Sequence, residues 1–256
     1  MSRPSLTRDE FVSCVDEAME KGVYTKDVRD RMIETYDTLS DTDELTGLYK
    51  KHVLEGALRR ELKTMQRAAE KAESRGRDYG DGPGISVLYF DLNEFKDVND
   101  RIGHQAGDVV LKQFGVILQR VFSRETDLNS RNSGDEYASL LRNTDEQAAL
   151  QMLGELEKRC ERRKQAFYRL ASMPRYAAII EDYMKVKNRS KKPGEKNISL
   201  EDLIDAVSNL SFSAGVSHRS SGRLNKYKDT EKEKDSMLNE AETRMYTHKK
   251  ERNAGR

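Results

Sequence analysis

The chain has 256 residues, 36% of them hydrophobic and 36% charged, and 46 basic against 45 acidic residues leave a net charge of +1. So polar a composition supports one compact core carrying long solvated helices rather than two full cores, and the charge balance offers no global field for nucleic acid or a membrane surface. Cys14 and Cys160 fit no metal or disulfide framework, the apolar runs fall short of a membrane span, and no signal-peptide core is present, so a soluble, cytoplasmic protein is expected.

In chain order, Thr7-Arg8-Asp9-Glu10 is a capping-box pattern ahead of Phe11, Val12, Val15, Ala18 and Met19 at helical spacing. Gly22 ends that helix, and a second from near Thr25 carries Val28, Met32, Ile33, Tyr36 and Leu39. Residues 1–40 therefore read as a helical stalk or dimerisation segment. A long charged helix is predicted from Thr46 to Ser74, with Leu48, Val53, Leu54, Leu58, Leu62 and Met65 on its apolar side, then a glycine-rich loop to Gly84. Ile85 to Phe90 is a buried strand, followed by a short turn and an amphipathic helix through Ala106, Val110, Phe114, Ile117 and Leu118. Leu128 to Arg131 and Tyr137 to Leu141 form a hairpin about Ser133-Gly134. Asp145 to Arg169 is a charged helix, Leu210 to Val216 a strand, Ser217 to Lys232 a polar loop, and Lys234 to Arg252 the last helix. Strands separated by helices, with one antiparallel hairpin, predict an α/β sandwich of helices on a sheet.

Two acidic segments carry chemistry. Asp91-Leu92-Asn93-Glu94-Phe95-Lys96 follows the buried strand, and Ser133-Gly134-Asp135-Glu136-Tyr137 sits at the hairpin tip. If those strands are neighbours, Asp91 and Asp135 can share a Mg²⁺ while leaving room for phosphate oxygens and water. That arrangement suits phosphoryl or nucleotidyl transfer.

The order of landmarks resembles the GGDEF-domain diguanylate cyclases over roughly Asp43 to Arg256. Asp43-Glu44-Leu45-Thr46-Gly47-Leu48 is similar to the family's opening Asp-x-Leu-Thr-Gly-Leu. Asp91 to Asp100, then Gly103-His104 and Gly107-Asp108, resembles its long signature, and Ser133 to Tyr137 stands in place of Gly-Gly-Asp-Glu-Phe. Ser213 with Gly215 resembles the Ser-x-Gly strand, and Ala241-Glu242 through Tyr246 to Lys249 the terminal helix.

The resemblance implies a fold of the polymerase-palm and nucleotidyl-cyclase kind: α/β (α+β), a central, mostly antiparallel sheet flanked by helices, with a helical N-terminal extension. It implies joining of two GTP into cyclic di-GMP by a homodimer, since each half-site holds one GTP. Asp91, Asp135 and the Leu92 carbonyl are implied ligands of Mg²⁺ (or Mn²⁺), with Asp135 and Glu136 catalytic. Glu94, Phe95, Lys96, Gly134, Lys249 and Arg252 are implied to surround the phosphates, and Asn99 and Asp108 to read guanine. Arg124-x-x-Asp127 stands where the family binds inhibitory product. A separate sensor or effector protein is an expected partner; no membrane or nucleic acid is. The run Lys185 to Lys196 lacks interleaved aromatics and reads as an exposed loop.

Departures are Ser133 for glycine, costly only if that position needs positive φ, Tyr137 for phenylalanine, Asn93 for aspartate, and Arg252 only three residues after Lys249. The spacing from Asp135 to Ser213 implies an insertion at about 172–205. The rival reading is an inactive domain that binds cyclic di-GMP through Arg124 and Asp127 as a receptor. His104 is expected to hold a turn rather than a metal.

Overall fold

The computed structural model describes residues 8–39, 41–76, 82–171, 210–220 and 229–254, with isolated positions between 173 and 204. Thr7 of the capping box, most of the expected insertion and most of the polar loop after Ser217 lie outside them. The chain divides into two units, Met1–Thr42 and Asp43–Arg256.

The first unit holds α1 (Arg8–Glu20) and α2 (Lys26–Leu39). Its hairpin is closed by an Arg29–Asp16 ion pair and by the Tyr24 hydroxyl, which donates to the Val15 carbonyl at 3.0 Å. Val23, Val28 and Met32 are exposed.

The second unit runs β1 (Tyr49–Lys50), α3 (Lys51–Glu73), β2 (Ile85–Leu92), α4 (Phe95–Ile102), α5 (His104–Val121), β3 (Leu128–Ser133), β4 (Glu136–Arg142), α6 (Glu146–Ala171), β5 (Phe212–Arg219) and α7 (Thr230–Ala254). The strand order is β1-β3-β4-β2-β5, with β1 parallel to β3 and every other pairing antiparallel. The expected sheet flanked by helices is the one observed.

β2 is central, and all eight of its residues are buried. Its side chains alternate between two cores, as strand geometry requires. Leu88, Phe90 and Leu92 join α4, α5 and α6 on one face, while Ile85, Val87 and Tyr89 join α3 and α7 on the other. α7 lies so close to β5 that a Cβ at Gly215 would collide with the Ala241 carbonyl and the Met245 nitrogen. Among the described residues no helix is long and apolar enough to cross a membrane.

Several boundaries differ from expectation. The helix predicted from Thr46 begins at Lys51, because Asp43 folds the preceding residues into a turn: its carboxylate accepts from the Thr46 N–H and hydroxyl, and Gly47 takes φ +71°. The turn expected after Phe90 is a helix, α4, whose Phe95 and Val98 sit at helical spacing. β5 extends to Arg219, and α7 starts at Thr230 rather than Lys234.

Candidate active site

The end of β2 and the tip of the β3–β4 hairpin meet as the register dictates. Asp91 pairs with Glu136 on one side and with Ser213 on the other, so the three side chains share the face covered by α7. The Leu92 N–H donates to the Asp135 carbonyl at 3.2 Å, which ties the turn residue to the strand end. Asp91 is 5% exposed. Burial first, and then the charge of Asp91, push the Asp135 carboxyl above its ordinary value against the opposing pull of Lys249.

The turn itself is Gly134-Asp135, and Gly134 is the residue with positive φ (+46°). Ser133 ends β3 outside that region, and its hydroxyl donates to Glu136 Oε2 at 3.0 Å. The departure at 133 therefore carries no backbone penalty. Tyr137 is fully buried, packs its ring edge-on to Phe114 at 4.9 Å, and donates its hydroxyl to the Leu111 carbonyl at 3.0 Å. Asn93 accepts from the Ser213 hydroxyl at 2.8 Å, and its N–H donates to the Ser211 carbonyl at 2.9 Å. The amide thus pins β5 to the strand end.

Lys249, expected at phosphates, lies on α7 with Nζ 2.5 Å from Asp91 Oδ1. One turn earlier the Tyr246 hydroxyl is 3.4 Å from Glu136 Oε1. Arg252 follows in the last turn of α7 and makes no hydrogen bond or ion pair among the described residues.

Glu94 occupies the left-handed region (φ 57°, ψ 19°) just before α4, a conformation that costs roughly 1 kcal/mol for a residue with a side chain. The first turn of α4 follows directly, and its N–H groups, those of Phe95 and Lys96 among them, have no partner within the helix and can donate to an anion. Asn99 sits one turn further along α4. Its Oδ1 is buried without a hydrogen-bond partner and lies against Gly107 of α5, where a Cβ would strike it. Asp108, the next residue, is exposed. An orphaned acceptor of this kind costs about 1–3 kcal/mol, which a donor from a ligand would recover.

Arg124 and Asp127 close a tight turn after α5: the Asp127 N–H donates to the Arg124 carbonyl at 2.9 Å, and the Arg124 N–H to Asp127 Oδ2 at 3.2 Å. Asp127 Oδ1 is buried and unpartnered, and burial pushes this carboxyl above its ordinary value. Arg124 also donates to the Thr144 hydroxyl at 3.2 Å, while Arg142 binds the Thr126 carbonyl and Glu61.

Sequence reasoning missed the residues that hold these groups. Arg131 donates through Nη1 to both carboxylate oxygens of Asp43, at 3.2 and 3.1 Å, and through Nε to the Gly134 carbonyl at 2.8 Å. Arg131 stands two residues ahead of Ser133, a position in the hairpin that could have drawn notice. Arg142 and Ser211 carry no such local signal. Among the described residues no three His, Cys, Asp or Glu side chains converge as a ready-made metal group. What the register brings to one strand end is Asp91 paired with Glu136, and Asp135 tied to the Leu92 peptide.

Comparison with known proteins gives the family. Residues 40–180 match the family model for the diguanylate cyclase GGDEF domain. The chain is 32% identical over 123 residues to diguanylate cyclase A of Treponema denticola, which is 48% of this chain and 30% of that protein. It is 38% identical over 99 residues to diguanylate cyclase TpbB of Pseudomonas aeruginosa, 39% of this chain and 20% of that protein. The match therefore spans well under half the length of these relatives. A structure of the isolated TpbB GGDEF domain is similar at 26% identity and a TM-score of 0.48, covering 82% of this chain and 89% of that one.

Proposed function

The chain belongs to the GGDEF-domain family, and from that premise we propose that it is a diguanylate cyclase, condensing two GTP into cyclic di-GMP and two pyrophosphate. The observation that carries the reading is the register that sets Asp91 opposite Glu136 and ties Asp135 to Leu92. Each step is attack of a ribose 3′-hydroxyl on an α-phosphate, with pyrophosphate leaving.

Asp91, Asp135 and the Leu92 carbonyl would hold Mg²⁺ or Mn²⁺. The donors are hard oxygens, few enough to leave places for phosphate and water, and the crowding that raises the Asp135 carboxyl is what a divalent cation relieves. Such an ion supplies charge neutralisation at the phosphates and eases ionisation of the attacking hydroxyl. Glu136 lies beside these ligands and accepts the hydroxyl proton. The first-turn N–H groups of α4 and the Lys96 ammonium hold the terminal phosphates, and Lys249 adds a second cation from α7. Gly134 lets the nucleotide approach the turn without a side chain in the way. The orphaned Asn99 Oδ1 supports guanine reading: it accepts from the base, while Asp108 accepts from the paired N–H groups that adenine lacks.

Two copies meet about a two-fold axis so that each GTP presents its hydroxyl to the other. The Arg124–Asp127 turn binds product and slows further synthesis, its buried free Oδ1 accepting a guanine N–H. Incubation with GTP, ATP or both in Mg²⁺, with products resolved by mass spectrometry, tests the reading. Cyclic di-GMP from GTP alone, abolished by Asp135→Ala, is expected. Absence of product alongside cyclic di-GMP binding that Asp135→Ala leaves unchanged would establish the receptor instead.

A further inference from the structure

Away from that site, α5 and α6 flank an open groove of about 350 Å³ lined by Arg120, Arg159, Arg162 and Arg163 together with Val116 and Ile117. Counter-charge there is scarce. Glu155 alone accepts from both Arg159 Nε, at 3.0 Å, and Arg162 Nη2, at 2.6 Å. Arg163 is held by the neutral amide oxygen of Gln113 at 2.9 Å. The side chain of Arg120, in the last turn of α5, makes no hydrogen bond or ion pair with the described residues. Among the described residues, four guanidinium groups thus share one paired carboxylate, Glu155, a repulsion that an anionic partner removes.

We propose that this groove is a docking surface for an acidic amphipathic helix of a partner protein. Its chemistry selects that occupant over a nucleotide. Among the described residues the polar lining is four guanidinium groups, all donors, with no aromatic side chain beside them. All the lining residues lie within helices, so their backbone N–H groups are already spent. The apolar part of the lining rewards hydrophobic side chains, which a bare polyphosphate lacks. Arg159, Arg162 and Arg163 stand at i, i+3 and i+4 on α6, a row that carboxylates at helical spacing on a partner can follow. Guanidinium forks pair with carboxylates bidentately and hold orientation as well as charge.

The probe is a fluorescein-labelled synthetic peptide of about 20 residues, with Leu at i, i+3, i+4 and i+7 and Glu and Ala elsewhere, titrated with the full chain by anisotropy. The wild type should bind it, more weakly as salt rises, and more tightly than a peptide of the same composition with its Leu residues dispersed. Arg159→Glu with Arg163→Glu should weaken binding about tenfold or more, and Arg120→Glu on the facing helix by a smaller factor. Far-UV circular dichroism checks that these variants fold; Arg159→Gln with Arg163→Gln takes their place if they do not. No binding by the wild type, equal binding of the dispersed peptide, or indifference to the substitutions overturns the proposal. Tripolyphosphate that binds the wild type as tightly as the patterned peptide at matched ionic strength, and loses that binding in the same variants, would also overturn it, in favour of a plain phosphate site.

Discussion

The Lys249 ammonium lies 2.5 Å from the Asp91 carboxylate, joining the last helix to the end of the central strand. Asp91 is otherwise a buried charge, and an unpaired buried charge is strongly destabilising. The lysine is the counter-ion of the strand end. Lys249→Met should therefore leave a more negative pocket, raising Mn²⁺ affinity about tenfold in a titration followed by electron paramagnetic resonance. Product formation should fall in the same variant, since a phosphate partner is lost. A parallel drop in both quantities would contradict this account.

The Asp43–Arg131–Gly134 chain links the start of the domain to the signature turn. Arg131 and Asp43 are 14% and 22% exposed at their side chains, and Asp43 also caps the turn before β1. Asp43→Ala should cost about 1–3 kcal/mol in denaturant unfolding and reduce turnover, because the Gly134 carbonyl loses its fixed donor. Arg131→Lys should lose turnover too, since a lysine cannot serve two partners in the geometry of a fork.

Gly107 allows α5 to approach Asn99 without a side chain between them. Gly107→Ala forces the two helices apart or turns the Asn99 amide away. It should lower stability by about 1–3 kcal/mol and weaken GTP binding more than ATP binding by calorimetry. Equal weakening of both nucleotides would remove Asn99 from guanine recognition.

At the far end of α7, Arg219 on β5 pairs with the buried Glu233 and, at 2.8 Å, with Glu240, which also accepts from the Ser217 hydroxyl at 2.9 Å. Burial alone would raise the Glu240 carboxyl, but Arg219 and Ser217 outweigh it and hold it below its ordinary value. A depressed folded-state value contributes stability above the unfolded-state value and loses it as pH falls through the folded one. Glu240→Gln should lower stability at neutral pH by about 1 kcal/mol at most, given its partial exposure, and be read as a fall in Tm. The gap to wild type should close on acidification.

The sheet and the acidic pair were legible because their signals are local. An unbroken apolar run ending in Asp91, and a glycine turn before Asp135, fix where each carboxylate falls once the strands neighbour one another. What stayed hidden depends on elements far apart in the chain. The Arg131–Asp43 contact spans 88 residues and exists only through the parallel pairing of β1 with β3. The partner of Lys249 depends on the face that α7 presents, which the close approach at Gly215 sets. α4 was hidden for another reason: polar residues and the left-handed Glu94 give the start of that helix the look of a turn. The conditional cost of Ser133 could be judged only when Gly134, its neighbour, proved to be the residue with positive φ.

β2 is hydrogen-bonded on both edges and buried on both faces along its whole length. Amides in such a strand exchange with solvent only when the whole domain opens. The carboxylate at its end therefore cannot melt ahead of the fold. On heating, divalent-ion binding and tertiary structure should disappear together, in a single transition, which makes the ion a reporter on the integrity of the entire sheet.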